Sequence, residues 1–368
     1  MTDIAVIGAG ISGLVCAQQL TQAGYSVLVV EKSRGLGGRV ATRRLHDTVA
    51  DHGTCYLKPK GQLMRHFVEL LCRNNTLQVW TETLHELKPE NSLPAIQSSN
   101  PNPCYDSPTG MSTIAKFLTP GLEILLNHRV VSIVQAVQSV QTEEKTWHLI
   151  AETSDGEQEE ITAKALVIAI PAPQALALVE PFGETLLGAD FLEKLRSVEF
   201  YPCLSVMAGY SPDIEALLEW KAVTFKNDKV LGWVGFDSSK RPNPQQPVFV
   251  LQSSADFAEN HLDTEDLQPA AEEILQRASK LLMLPWLAIP EWMQIHRWRY
   301  AIPRTPLEQT SLPANTNLPL VCCGDWCGGG VVENALVSGI AAAEEINVRL
   351  GNLPLPGDKF LDRDEEVK

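Results

Sequence analysis

No run of apolar residues in this chain is long enough to cross a bilayer. The longest, Ala165 to Val179, is interrupted by Pro171 and Pro173 and falls short of the ~20 residues that a spanning helix needs. Positive charge is scarce: 30 Lys and Arg stand against 45 Asp and Glu, a net charge of −15. That balance argues against nucleic acid and against anionic membrane surfaces as partners. The eight cysteines fall into no disulfide framework, so a reducing cytoplasm is the expected setting. Cys322, Cys323 and Cys327 cluster without paired ligands elsewhere, and no metal site is expected. The N-terminal residues lack a basic n-region, so no targeting segment is expected. Repeats, low-complexity tracts, a nucleophile–His–acid triad and a general-base signature are absent too, and nothing bears on oligomeric state. What remains is an ordinary globular composition, long enough at 368 residues for two domains.

The informative residues lie near the two ends. Asp3 to Gly8 reads as an apolar strand running into Gly8-Ala9-Gly10-Ile11-Ser12-Gly13, then an Ala/Leu/Gln-rich helix, then the strand Val27 to Val30 ending in Glu31. Each piece has a mechanical role in holding a dinucleotide. Gly8 allows the tight turn, Gly10 lets the backbone approach a pyrophosphate, and Gly13 lets helix and strand pack closely. The helix N-terminus, through Ile11 and Ser12, faces the phosphates with free N–H groups. Glu31 is placed to accept hydrogen bonds from adenosine ribose hydroxyls. The next stretch, Lys32 to Arg39, contains Gly37-Gly38-Arg39, which can approach the pyrophosphate from the other side; an NAD domain would turn into its next helix here. Far downstream, Gly324-Asp325 ends an apolar strand and Gly330-Val331 opens a helix reaching Leu350. Asp325 suits the ribityl or pyrophosphate edge of a flavin, and the helix would aim its positive end at the flavin pyrimidine. The pairing specifies FAD.

A cofactor held from both ends requires a discontinuous domain. The expected fold class is α/β, a Rossmann-type FAD-binding domain with a second α+β domain built on a mostly antiparallel sheet. Residues 1–58, 106–175 and 290–350 are assigned to the first and 59–105 with 176–289 to the substrate domain, leaving 351–368 as a flexible tail. The continuous apolar run Leu166 to Ile170 suits a buried parallel strand, and the stripe Leu267, Ala271, Ile274, Leu275, Ala278 marks a helix facing a core. Asn100–Pro103 and Arg241–Pro247 read as surface turns. In His296-Arg297-Trp298-Arg299-Tyr300, strand alternation puts His296, Trp298 and Tyr300 on one face and the two arginines on the other.

Taken together, these residues resemble the FAD oxidoreductases of the amine-oxidase type, and among them the renalase-like branch. The resemblance runs through Asp51-His52-Gly53-Thr54-Cys55-Tyr56, Pro108 to Ile114, His128 to Ile133, Ala165 to Pro173 and Arg297 to Tyr300. It implies non-covalent FAD, with Cys55, Tyr56 and Val130 beside it. It also implies that Trp298 forms a wall of the cavity before the isoalloxazine, with Tyr300 nearby. Arg299 or Arg297 would meet a substrate phosphate or form a structural salt bridge. Cys55 and Gln252 depart from the family pattern, which has a glutamine at the first position and a cavity histidine at the second. The implied activity is oxidation of an isomeric dihydronicotinamide of the NAD(P) type, with hydride passing to flavin N5 and dioxygen reoxidising the flavin to give H2O2. The missing base fits such a substrate, because the ring nitrogen drives hydride departure. Oxidation of a primary or secondary amine and a flavin-binding protein of low turnover are the alternatives.

Overall fold

The computed structural model describes residues 1–87, 95–137, 145–214 and 218–361, with the side chains of 95–102 and 137 outside the description. In chain order the first elements are β1 (Thr2–Ile7), α1 (Ile11–Gln22), β2 (Val27–Glu31), β3 (Thr42–Leu45), β4 (Thr48–Asp51), α2 (Gln62–Arg73), β5 (Gln78–Leu87) and β6 (Ala95–Asp106). There follow α3 (Thr113–Phe117), β7 (Glu123–Leu126), β8 (His128–Val137), β9 (Lys145–Thr153), β10 (Gln158–Ile168), α4 (Ala172–Val179), α5 (Gly183–Leu187) and α6 (Ala189–Ser197). The last third supplies β11 (Phe200–Gly209), β12 (Ala222–Phe225), β13 (Leu231–Phe236), β14 (Val248–Ser253), α7 (Ala255–Asn260), α8 (Gln268–Leu282), β15 (Trp292–Pro303), β16 (Leu312–Pro313), β17 (Leu320–Cys322) and α9 (Val332–Leu350).

Two large sheets result. The first runs β16-β17-β10-β1-β2-β7, with β9 pairing β10 and β8 pairing β9. Its centre is parallel: Val6 lies opposite Val29 on one side and Val167 on the other. A strand with neighbours on both edges and helices on both faces must be apolar throughout, which is what residues 4–7 supply. Ile4 and Val6 enter the layer formed with α1, α2 and α9. Ala5 and Ile7 enter the opposite layer, with α4, α6 and the β8–β9 pair.

The second sheet runs β15-β11-β14-β13-β12-β5-β6. Leu204, Val206, Phe249 and Leu251 on one face pack against Ala271, Ile274, Leu275 and Ala278 of α8. Met207, Trp233, Val248 and Val250 on the other face pack against Leu45, Ala50 and Cys55. The β3–β4 hairpin and the loop that follows it therefore lie against this second face.

The α/β fold class with a mostly antiparallel second sheet is as expected, β12 and β5 pairing parallel within it, but the segment boundaries need correction. β15 pairs antiparallel with β11, so 292–303 belongs to the second sheet and not to a segment starting at 290. α2 sends Met64, Phe67, Val68 and Leu71 into the Rossmann core, although 59–105 was expected in the substrate domain. Phe191, Leu192 and Leu195 of α6 likewise join the first sheet. An amphipathic pattern shows that a helix has an apolar face, and leaves open which sheet receives it. Asn100–Pro103 lies inside β6, an edge strand with register shifts against β5, where proline is tolerated. The expected tail is anchored through 361: Phe360 and Leu361 are buried, and Gln19 Nε2 donates to the Gly357 carbonyl at 2.6 Å. Residues 362–368 lie outside the described residues.

Candidate flavin and substrate site

The first Gly-rich turn is shaped by close approach. Gly8 has φ +104° and a Cβ there would lie 2.6 Å from the Ala169 carbonyl oxygen; a Cβ at Gly13 would collide with the Gly8 carbonyl. At Gly10 a Cβ would meet nothing within 4 Å, so this backbone faces open space. Gly10 caps α1 without a side-chain hydrogen bond, and the first turn of α1 carries no acid. Such a helix end attracts an anion. Gly37 N–H donates to the Ala9 carbonyl at 2.9 Å and a Cβ at Gly38 would lie 3.5 Å from the Gly10 Cα, so the second Gly-rich turn borders the same space. Ile11 and Ser12 are buried beneath it.

Glu31 ends β2 with its carboxylate largely buried. One oxygen accepts from Ala9 N–H and the other from Ser33 N–H, each at 2.8 Å. Each oxygen keeps a further lone pair for a ribose hydroxyl. Lys32 beside it is exposed. From the far end of the chain Asp325 reaches Arg39 in an ion pair, and Arg39 Nη1 also donates to the Ala301 carbonyl at 3.0 Å. Asp325 sits in a turn pinned by Trp326 Nε1, which donates to the Ile170 carbonyl at 3.1 Å. Gly330 and Val331 precede α9, and Val331 is exposed. Val130 is a buried core residue at a register shift of β8. These residues fit FAD: an open helix N-terminus for the pyrophosphate, an acid on the adenosine side, and a joined Arg–Asp pair on the other.

The loop 52–56 crosses the face of the second sheet. Trp298 Nε1 donates to the His52 carbonyl at 2.8 Å, and the His52 ring stacks on Trp298 with centroids 5.2 Å apart. His296 meets both rings edge-on, at 4.3 Å from Trp298 and 4.9 Å from His52. Gln252 Nε2 donates to the Gly53 carbonyl at 2.8 Å and approaches the Cys55 sulfur at 3.6 Å. Tyr56 lies near Trp80 and Trp233, and burial pushes its hydroxyl up to about 12. Burial raises the Cys55 thiol as well, so it is no nucleophile. Burial, with His296 and Arg43 beside it, holds His52 down to about 3. Burial and Arg43, whose Nη2 lies 3.4 Å from His296 Nδ1, hold His296 down to about 4. Both imidazoles are neutral at physiological pH. This pairing of residues 52 and 296 was not foreseen; alternation put His296 with Trp298, and no local signal brings His52 to them.

For the arginines the geometry shows the structural alternative. Arg299 pairs with Asp263 at 2.7 Å and is largely exposed, while Arg297 donates to the Leu262 carbonyl. Both serve a structural contact and neither faces Trp298. The register between β11 and β15 shifts after the Cys203–Trp298 pair, a bulge that breaks the expected alternation. Tyr300, beyond it, packs edge-on against Phe200 at 5.5 Å.

Behind the loop lies a charge network. Lys240 Nζ meets Asp237 at 2.7 Å and Asp51 at 3.1 Å, all three side chains fully buried. Arg241 Nη2 meets the same two carboxylates at 2.8 and 2.9 Å, so the expected surface turn at 241–247 begins with a buried arginine. The Thr42 hydroxyl and the Met111 N–H donate to the remaining Asp51 oxygen at 2.6 and 2.8 Å. Asp106 is also buried, and burial raises it from 3.8 to about 6 against the pull of Lys240 and Arg241. A raised carboxyl contributes stability below its unfolded value, and that contribution is lost as pH rises through the folded one. Asp106→Asn should therefore gain melting temperature relative to wild type between pH 4.5 and 7.5. A difference that stays constant across that range would show that Asp106 does not titrate in the folded protein.

An open helix N-terminus, a buried acid and an Arg–Asp pair, drawn from both ends of one chain, suit a dinucleotide-binding flavoprotein built on two sheets. The chain belongs to the family of flavin-containing amine oxidoreductases, whose profile matches residues 76–347, and an NAD(P)-binding Rossmann-like domain profile matches residues 6–71. FAD is the cofactor. An L-amino-acid oxidase of Sistrurus catenatus edwardsii is 39% identical over 66 residues, which are 18% of this chain and 13% of that protein. A putative flavin-containing monoamine oxidase of Mycobacterium tuberculosis is 42% identical over 57 residues, 16% of this chain and 13% of that one. These matches thus span a small fraction of the curated relatives. Among solved structures, a putrescine oxidase bound to putrescine superposes with TM-score 0.68 at 14% identity, covering 95% of this chain and 99% of that one. A putative protoporphyrinogen oxidase from Exiguobacterium sp. gives 0.65 at 13% identity, covering 94% and 99%. At such identities the likeness is one of fold. Among the described residues, no helix is long and apolar enough to cross a membrane.

Proposed function

We propose that this flavoprotein is a renalase-like oxidase, holding FAD non-covalently and oxidising a flat, uncharged reduced ring, an isomeric dihydronicotinamide of the NAD(P) type. Bound FAD supplies the hydride acceptor at N5, and dioxygen is the terminal acceptor, giving H2O2. The observation that carries the reading is the Trp298–His52–His296 cluster, three aromatic rings with both imidazoles neutral. Flat rings at mixed angles offer face and edge contacts to a planar guest. The charged side chains acting on the two imidazoles are Arg43 and Asp51, and Asp51 is committed to Lys240 and Arg241. An ammonium ion beside these imidazoles would meet the Arg43 guanidinium, while the carboxylate acting on them is already paired. A dihydropyridine carries no such charge at the ring, and its nitrogen lone pair expels the hydride without a protein base.

Anaerobic stopped-flow mixing of the holoprotein with 2- and 6-dihydronicotinamide dinucleotides should bleach the oxidised flavin band faster than ordinary NADH does. Equal or slower bleaching would overturn the proposal. Trp298→Ala should weaken apparent substrate affinity about tenfold, the worth of an aromatic contact. Trp298→Phe should retain most of that affinity, and both variants should keep their flavin content.

Family membership favours a second substrate class, a primary or secondary amine. That reading predicts an aldehyde product and a rate that climbs with pH as the amine loses its proton.

A further inference from the structure

We propose that His52 and Ser205 form a subsite for an uncharged carboxamide carried by the flat substrate, His52 Nδ1 accepting an amide N–H and Ser205 Oγ donating to the carbonyl. The proposal rests on the reading that the Trp298 face is the substrate side of the flavin.

Two buried polar atoms point to such a guest. His52 is 5% exposed and Ser205 is 0% exposed. Neither His52 Nδ1 nor Ser205 Oγ has a hydrogen-bond partner among the described residues. Atoms of this kind bear the full cost of leaving water until something bonds to them. They also flank the same ring. Ser205 lies directly opposite His296 in the β11–β15 register, and the His52 ring meets His296 edge-on. Along β11, Leu204 and Val206 enter the α8 core while Met207 enters the opposite one. Ser205 therefore shares the face crossed by the 52–56 loop.

The donor and acceptor inventory narrows the guest. A neutral imidazole has one donor nitrogen and one acceptor nitrogen. Nδ1 is the buried His52 nitrogen without a partner, and as the acceptor nitrogen of a neutral ring it would take an N–H. The Ser205 hydroxyl can donate or accept. A carboxylate offers no donor to Nδ1. An ammonium offers no acceptor to Ser205 and lies near Arg43. A primary amide offers both, without charge.

Calorimetric titration of the FAD-loaded protein with non-reacting flat ligands tests this without turnover. Nicotinamide should bind at least about tenfold tighter than 3-acetylpyridine, which keeps the carbonyl and lacks the N–H; a site built to pair a polar group rejects the analogue that leaves it unpaired. His52→Phe should weaken nicotinamide alone and so abolish the preference, whereas Ser205→Ala should weaken both ligands. Equal binding of the two by wild type would overturn the proposal, as would no heat with millimolar nicotinamide. A buried water serving the two atoms would give that equal binding. If His52→Phe fails to take up FAD, the wild-type ligand pair and Ser205→Ala still decide. Should dihydronicotinamides leave the flavin oxidised while the amide preference holds, the oxidase reading falls and the subsite stands.

Discussion

Lys240→Met is expected to destabilise the protein by about 3–5 kcal/mol, the usual cost of removing one partner from a buried ion pair. The methionine fills most of the volume, so the loss is electrostatic. Burial works against the Lys240 charge, yet Asp237 and Asp51 outweigh it and raise its pKa. Without the ammonium, two fully buried carboxylates share one guanidinium. Their geometry is fixed by Thr42, Met111 and Arg241, so they cannot move apart to reach water. Differential scanning calorimetry should show the melting temperature fall by roughly 6–10 °C, taking about 2 °C per kcal/mol for a large domain. Asp237→Asn combined with Lys240→Met should cost less than the two single changes added, because the pair is lost as a unit. A melting temperature within a degree of wild type would mean that the network does not hold the hairpin. Asp51 begins the loop that carries His52 and Tyr56, so the same variant should weaken ligand binding at the Trp298 face.

That network illustrates what the sequence conceals. The dinucleotide clamp was legible because its parts are local: turn, helix, strand and acid follow one another within residues 3–39, and each has a geometric reason for its residue type. Asp325 was legible by its Gly-Asp context at the end of an apolar strand. Lys240 and Arg241 sit in a polar, proline-rich stretch that reads as solvated surface, and only the packing of β14 and β4 around it buries them. The same holds for His52 and His296. They are far apart in sequence and meet because β15 joins the second sheet beside β11 while the 52–56 loop crosses over it. Pairings of that separation leave no periodic trace in one chain. The bulge in β15 is a further case: alternation assumed an unbroken pleat, and the extra residues re-aim the backbone so that the Ala301 carbonyl reaches Arg39.

Gly10→Ala and Gly13→Ala should separate the fold of the clamp from its cargo. At Gly10 the backbone is extended at the helix cap, φ −74° and ψ 176°, a conformation open to alanine. The added methyl meets no protein atom within 4 Å, so the apoprotein should lose no more than about 1 kcal/mol, the worth of a glycine cap over alanine. With FAD bound, that methyl would occupy the space into which the pyrophosphate must come. Overpacking of this kind costs about 1–3 kcal/mol, an expected fall in FAD affinity of about 5- to 150-fold, measurable by fluorescence titration of the apoprotein. At Gly13 the methyl would strike the Gly8 carbonyl and come within 3.0 Å of the Ala169 Cβ. Backbone cannot yield as a side chain can, so α1 must lift from β1 and the turn between them must open. The gain of roughly 1 kcal/mol in helix propensity does not offset that. Gly13→Ala should therefore lose thermal stability already as apoprotein and fail to retain FAD on purification. An apoprotein melting temperature that drops as far for Gly10→Ala as for Gly13→Ala, with FAD affinity unchanged in the former, would mean that the space above Gly10 is not where the cofactor lies.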